Sequence, residues 1–369
     1  MKTGIADLPL HHGKCPFWLF RRMKGLAKRI AKIIVTEYGE KELMKRLSDP
    51  YFFQALGCTI GFDWHSSGLT TTVCGALKEA VNEENLSIKI AGGKGKVSLR
   101  VPEEIRVLSE DLNLTTKQIE RIIYVSKMAA KVDNAVLQDG YNLYHHIILF
   151  DGRGNWCVIQ QGMNVVSHYA RRYHWFSENV ESFTEEPHTA IVADKKEQFV
   201  LNLVSKRSKE VRKTSVDLVK DGINHLKSDF VLLKKTPQRS ILHFVKDFNP
   251  KIVPEYLKMP KTLNWKALEK VYEFKPKNYE ELISIKGVGP STIRGLAYIS
   301  TLIYGSKIDW KDPVKFSFAY GGKDGVPKPV DRKAMDESIR FLDEILSKSK
   351  LEELRKLRKF IRLPESKNL

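Results

Sequence analysis

The chain has 369 residues, with 62 Lys and Arg against 44 Asp and Glu and a formal net charge of +18. Hydrophobic residues at 42% and aromatics at 10% exclude a globally disordered polypeptide, and no apolar run approaches the ~20 residues needed to span a bilayer. The cationic excess points to a polyanion as partner, with nucleic acid first among them.

Pro16 opens the first predicted helix. Phe20, Met23, Ala27, Ile30 and Ile34 recur at steps of three and four, an amphipathic stripe. The other face carries Arg21, Arg22, Lys24, Lys28, Arg29 and Lys32, with no acid over 14–32, and the same cations break up any signal-peptide pattern. That face reads either as solvated or as phosphate-facing. Gly39 ends the helix, and Asp49-Pro50 ends a shorter second one. Residues 57–75, GCTIGFDWHSSGLTTTVCG, crowd small polar residues around Asp63, Trp64 and His65 and predict a site loop leading into a helix over 69–84. AGGKGK at 91–96 reads as a glycine-lysine turn. Its backbone N–H groups, with Lys94 and Lys96, suit a phosphate, although the GxxxxGK[ST] spacing is missing.

Thr115 with Gln118 forms a capping box for a helix predicted to reach about Gln138. Ile119, Ile122, Val125, Ala129, Val132 and Val136 mark its buried stripe, and Lys127, Lys131, Asn134 and Gln138 share another face. The stretch 139–164, DGYNLYHHIILFDGRGNWCVIQQGMN, predicts strands over 143–150 and 155–161 around a DGRGN turn. These strands carry His145, His146, Gln160 and Gln161, and adjacent His145 and His146 must point to opposite faces. Then come Arg171, Arg172 and His174 in ARRYHWFSENV, and Glu185, Glu186 and His188 in SFTEEPHTAI. Six of the ten histidines lie between 65 and 188.

From 189 to 246 the pattern turns helical and basic, with SKRSKEVRK holding five cations against one acid. Prolines 250, 254 and 260 mark a boundary. The chain therefore reads as α+β, in three parts. A mixed catalytic domain over 1–188 combines helices with a β-hairpin or small antiparallel sheet. A basic helical segment covers 189–248, and a mainly helical nucleic-acid-binding domain covers 249–369. The tail from 348 carries Leu351, Leu354 and Leu357 on a Lys/Arg-rich amphipathic pattern.

Residues 278–305, NYEELISIKGVGPSTIRGLAYISTLIYG, resemble a helix-hairpin-helix. Gly287 and Gly289 permit the tight hairpin, Pro290 opens the second helix, and unpaired N–H groups at its start suit a phosphate oxygen. Lys286, Gly287, Gly289, Ser291, Thr292 and Arg294 are the candidate contacts. Pro329-Val330-Asp331-Arg332 resembles the segment in which helix-hairpin-helix base-excision glycosylases carry a catalytic Asp. Two departures are the long separation from Gly289 and the serine at 291, where lyase-active members carry lysine. The plainer alternative makes Asp331 an N-cap for MDESIRFLDEIL.

The histidine-rich half offers phosphodiester chemistry. Asp63, His65, Asp139 and His145 are candidate ligands for a divalent metal, Mn²⁺ or Mg²⁺. His146, His174, Gln160 and Lys131 are further catalytic candidates, with Arg171 or Arg172 clamping phosphate oxygens. A metal-free alternative uses His as general acid or base with Lys or Arg as electrophile. The plain alternative is a set of hydrogen-bonded interior histidines. Trp64, Tyr141, Tyr144, Trp156, Tyr173 and Trp175 interleave with these groups, either stacking bases or filling the core. The four cysteines match no zinc or CxxC spacing and read as free thiols in a reducing compartment.

TGIADLPLHHGKCPFWLF, FFQALGCTIGFDWHSSGLTTTVCGALKE, AGGKGK, AKVDNAVLQDGYNLYHH, QQGMN, ARRYHW, EEPH and FAYGGKDGVPKPVDR together resemble the prokaryotic domain-of-unknown-function family 763, over nearly the whole chain. The resemblance implies a prokaryotic cytoplasm and supplies no family activity. The leading expectation is a DNA-processing or repair enzyme, a metal-dependent nuclease acting on DNA more than RNA. The alternatives are a glycosylase using Asp331 and a non-catalytic DNA-binding protein. The sequence leaves a homo-oligomer open.

Overall fold

The computed structural model describes residues 15–62, 67–84, 86–193, 196–235 and 254–314. Its frame is a five-stranded antiparallel sheet, order β1-β3-β4-β5-β6, built from β1 (Ile88–Lys94), β3 (Asn142–Asp151), β4 (Trp156–Asn164), β5 (Tyr169–Phe176) and β6 (Ala190–Ala193). β2 (Leu137–Gln138) and β7 (Leu201–Asn202) form a separate two-stranded ladder. The mixed α+β class expected from the sequence is the class observed.

Both sheet faces are buried, so the strands read as near-continuous apolar runs whose alternation sorts side chains between two cores. On the first face Ile88, Ile90, Ile147, Leu149, Cys157, Ile159 and Phe176 meet four N-terminal helices. These are α1 (Phe17–Tyr38), α2 (Glu40–Ser48), α3 (Pro50–Thr59) and α4 (Ser67–Glu83). Asp49 ends α2 as expected and also caps α3, accepting from the backbone N–H of Tyr51 and Phe52. The basic face of α1 is partly paired: Lys24 meets Glu79 and Glu83, and Lys28 and Lys32 meet Glu84. Those carboxylates sit on or just after α4, so half of that face is a helix-helix seam rather than a phosphate surface.

On the second face Ala91, Ile148, Phe150, Val158, Tyr173, Trp175 and Ile191 pack under the remaining helices. These are α5 (Val101–Glu110), α6 (Thr116–Lys131), α7 (Lys209–Lys220), α8 (Ile223–Lys235), α9 (Trp265–Phe274), α10 (Tyr279–Ser284) and α11 (Pro290–Leu302). α7 to α11 share this one core with the sheet. Among the described residues no helix is long and apolar enough to cross a membrane.

Two elements depart from the sequence reading. The Thr115–Gln118 capping box forms, but the helix ends at Lys131 and widens into a π-helical turn over Val132–Val136 before β2. AGGKGK is not a free turn: Ala91 to Lys94 belong to edge strand β1, paired with β3, and only Gly95 onward leaves the sheet as a 3₁₀ helix. Gly92 makes that pairing possible, since a Cβ there would lie 2.2 Å from the His146 carbonyl oxygen at a φ of +109°. Of the interleaved aromatics, Trp156, Tyr173 and Trp175 take the core alternative.

Candidate functional site

β3 bulges at Tyr144, where the register shifts between Leu143 and His145, a device that re-aims side chains beside functional sites. Beyond the bulge, Lys94, His145, Gln161 and Arg172 stand opposite one another across β1, β3, β4 and β5. All four share the first face, and two residues further along the same β4–β5 ladder Ile159 pairs with His174 on that face. His146, Gln160, Arg171 and Tyr173 point the other way. The sheet therefore splits the histidine-rich residues into two centres.

The second-face centre is closed by its own partners. Arg171 donates to Asp139 at 2.8 Å and to both oxygens of Asp312 at 3.1 and 2.8 Å, all fully buried. Its guanidinium lies 4.4 Å over the Tyr141 ring. Asp139 also accepts from the Tyr173 hydroxyl and the Tyr141 N–H. Burial pushes its carboxyl up to about 6 against the pull of Arg171, so it stays ionised at neutral pH. Beside it, Ser126 Oγ lies 2.7 Å from His146 Nε2, and His146 Nδ1 donates to Gln160 Oε1 at 2.7 Å. Gln160 in turn donates to Asp133, which also accepts from Trp175 and His188. A cleft of about 160 Å³ adjoins this centre, lined by Glu186, His188, Asp309 and Asp312 among others. Those acids make it unfavourable for a phosphate.

The first-face centre has the opposite balance. Arg172 Nε donates to His174 Nε2 at 2.8 Å and Nη1 to Thr70 Oγ1 at 3.2 Å, with the guanidinium stacked 4.5 Å over Phe53. Thr70 donates to Gln161, whose amide nitrogen donates to the Tyr144 hydroxyl and the Ser67 carbonyl. His174 Nδ1 meets the Leu47 carbonyl at 3.1 Å, which fixes a neutral ring, and burial holds its pKa well below the usual range. Every group around Arg172 is thus uncharged. Cys74 and Cys157 add nothing negative, because burial pushes both thiols up. Arg172 itself is 0% exposed, its pKa pulled down by burial to about 10, so it remains cationic at neutral pH.

Two side chains in this row carry buried atoms without a partner. Arg172 Nη2 has none, and neither ring nitrogen of His145 has one. His145 is 1% exposed, and burial, then His146 and Lys94, lowers its pKa to about 3. Buried polar atoms are normally satisfied; outside this row Arg171 Nε on the opposite face and the Tyr279 hydroxyl lack a partner as well. Lys94 is exposed at the sheet edge, its Nζ 5.9 Å from the Tyr144 ring centroid.

The remaining candidates lie elsewhere. Asp63, His65 and Asp331 fall outside the described residues, as do Pro329, Val330 and the tail from 348. Lys131 belongs to neither centre: half-buried, its pKa lowered by burial, it donates to the Val288 carbonyl at 2.8 Å. That carbonyl is in the α10–α11 connection, where Gly287 has φ +98° and Gly289 caps α11. Gln138 donates to the Pro290 carbonyl and accepts from Arg294. Arg294 also holds the Lys258 and Tyr256 carbonyls. Thr292 is buried and accepts from the Asn264 N–H. Of the expected contacts here, Lys286, Gly287 and Ser291 face solvent, as does Lys96 near β1. Arg294 and Thr292 instead hold the connection in place.

Among the described residues no group of three His, Cys, Asp or Glu is placed to hold a metal. Asp139 and His145 occupy opposite faces, so these two do not share one ion. All four cysteines are free. Sequence reasoning missed Asp133, Ser126, Thr70 and Asp312. Neutral Thr70 and Ser126 carry no local signal, and Asp312 reaches Arg171 across 141 residues. No curated protein and no solved structure matches the chain significantly. A family model described as a protein of unknown function, DUF763, matches residues 4–330, and the chain belongs to that family.

Proposed function

We propose that the protein is a nucleic-acid-processing enzyme of the prokaryotic cytoplasm that cleaves phosphodiester bonds, in DNA more than RNA, at the Lys94–His145–Gln161–Arg172 row. One observation supports this reading most: a fully buried guanidinium with no carboxylate beside it, in the same cross-strand row as an imidazole with two unpartnered nitrogens. A buried charge is costly unless something pairs it, and a phosphoryl oxygen is the complement a guanidinium suits best.

The chemistry follows from the positions. Arg172 Nη2 and Lys94 hold non-bridging oxygens and offset the charge that grows on phosphorus ligands in the transition state. Neutral His145 accepts the proton of the attacking water or returns one to the leaving oxygen. A bound phosphate's negative charge raises the imidazole pKa from its depressed value toward the working range. The exposed turn with Lys286, Gly287 and Ser291 supplies a sequence-independent backbone grip of helix-hairpin-helix type.

A Mn²⁺ or Mg²⁺ requirement rests on Asp63 and His65. The described residues do not themselves fit a divalent ion: Asp139 is engaged by Arg171, Tyr173 and Tyr141, and His145 has two cations in its row. The test incubates the purified chain with labelled single- and double-stranded DNA in Mn²⁺, Mg²⁺ or EDTA. Cleavage is expected, reduced about 10²-fold or more in His145→Gln. Abasic sites without strand scission would shift the reading to a glycosylase, and tight binding without turnover to a DNA-binding protein.

A further inference from the structure

We infer that the outward face of α1 is a docking surface for single-stranded nucleic acid, with Trp18 stacking on an unpaired base and Arg21, Arg22 and Arg29 holding flanking phosphates. The inference rests on the proposed function for the class of partner and names the form in which that partner arrives. None of these side chains belongs to the reacting row.

The face is defined by what α1 does not bury. Met23, Ala27, Ala31 and Ile34 form the buried stripe. Trp18, Arg22, Gly25 and Arg29, at steps of four, three and four, run along the opposite side, flanked by Arg21. Phe17 is 81% exposed and Trp18 60%, although tryptophan is highly buried on average.

Charge is the second argument. The six cations of α1 fall into two sets. Lys24, Lys28 and Lys32 are tied to Glu79, Glu83 and Glu84. Arg21, Arg22 and Arg29 are exposed and meet no carboxylate among the described residues. Arg22 Nη1 donates to the Trp18 carbonyl at 3.0 Å, with the guanidinium 5.5 Å from the Trp18 ring centroid. Arg29 Nη1 donates to the Gly25 carbonyl at 2.9 Å, folding over a position that carries no side chain. Each of these two guanidinium groups keeps further N–H donors for a phosphate.

An aromatic platform among phosphate-binding arginines is what a single strand requires. A duplex hides its base faces within the stack, so it offers phosphates to the arginines and nothing to Trp18. A lipid surface takes up the apolar face of a basic amphipathic helix, but that face of α1 is already packed in the first-face core.

The experiment follows binding of a labelled oligothymidylate, and of a duplex of equal length, to the full chain by anisotropy in EDTA. Trp18→Ala is expected to weaken the single strand at least about fivefold and the duplex less than about twofold. Replacing Arg21, Arg22 and Arg29 together by Ala should lower the single-strand slope of log K against log salt by about 2, at about 0.7 for each phosphate contact. In the wild type, unlabelled oligothymidylate should quench tryptophan emission, and Trp18→Phe should remove that quenching while keeping more affinity than Trp18→Ala. Single-strand binding unchanged in both Ala variants overturns the docking surface and leaves the proposed function standing. Equal losses for strand and duplex in Trp18→Ala overturn the stacking role. A wild type that binds neither strand nor duplex overturns both readings. If Trp18→Ala instead releases the chain from phosphatidylglycerol vesicles and leaves oligothymidylate binding intact, the face belongs to a lipid surface and the inference falls.

Discussion

Arg171 and Arg172 are consecutive residues of β5, both fully buried, yet only Arg171 meets carboxylates. Strand alternation sends Arg171 to Asp139 and Asp312 on one face and Arg172 to His174 and Thr70 on the other. The two charges therefore have opposite effects on stability. Arg171→Met would leave two buried carboxylates without their counterion and should cost about 3–5 kcal/mol. Arg172→Met removes a buried charge that has no counterion and keeps much of the side-chain volume over Phe53. Its expected effect lies within about 1 kcal/mol of zero, in either direction. Denaturant unfolding of both variants checks this, and comparable large losses would mean that Arg172 is structural.

Acid sensitivity follows from the buried imidazoles. His145 titrates near 3 in the folded chain, and burial also lowers His146 and His174. The unfolded chain protonates all three near 6.5, so it binds more protons between those values, and stability rises with pH through that window. Asp139 opposes this in part: its carboxyl is raised to about 6, so its contribution is fully present at low pH and is lost as pH climbs from about 3.8 to 6. Three groups outweigh one. His145→Leu should reduce the slope near pH 5 by about 1.4 kcal/mol per pH unit, the value of one proton. An unchanged slope would show that His145 is not the buried neutral base described here.

Much of this arrangement was legible in the sequence. The DGRGN hairpin, the Thr115–Gln118 cap and the opposed directions of His145 and His146 follow from turn chemistry, capping and period-two geometry. The helix end at Lys131 was not, because Val132 and Val136 continue the apolar spacing while the backbone widens. Nor was the choice between the two arginines. Alternation says that they face opposite ways, but the acids that neutralise Arg171 lie 32 and 141 residues away. The glycines of AGGKGK suggested a turn by composition. Their role is instead to let β3 approach, which depends on pairing far along the chain, as in Gly92 with Ile147 and Gly93 with His146.

Close approach at the edge strand gives a paired prediction. A Cβ on Gly92 would fall 2.2 Å from the His146 carbonyl oxygen, a backbone atom of the β1–β3 ladder. Gly92→Ala should cost at least about 3 kcal/mol or prevent folding, since strain at positive φ adds to the clash. Gly95 also has positive φ, +60°, but nothing within 4 Å of its Cβ position. Gly95→Ala should cost only about 1 kcal/mol. Thermal melts of the two variants separate steric closure from backbone preference.

The α10–α11 connection separates contact from support. Lys286 is exposed beside Gly287, whereas Lys131 is half-buried with its ammonium bonded to the Val288 carbonyl. If the turn grips a phosphate backbone, Lys286→Ala removes one released counterion and lowers the slope of log K against log salt by about 1. Lys131→Met keeps every phosphate-facing cation and leaves that slope unchanged. It weakens binding only through the turn, because the Val288 carbonyl loses its donor. Salt titrations of DNA affinity for both variants distinguish the two roles. Equal slopes for Lys286→Ala and the wild type would remove the turn from the interface, while a lower slope for Lys131→Met would place its ammonium on the phosphate instead.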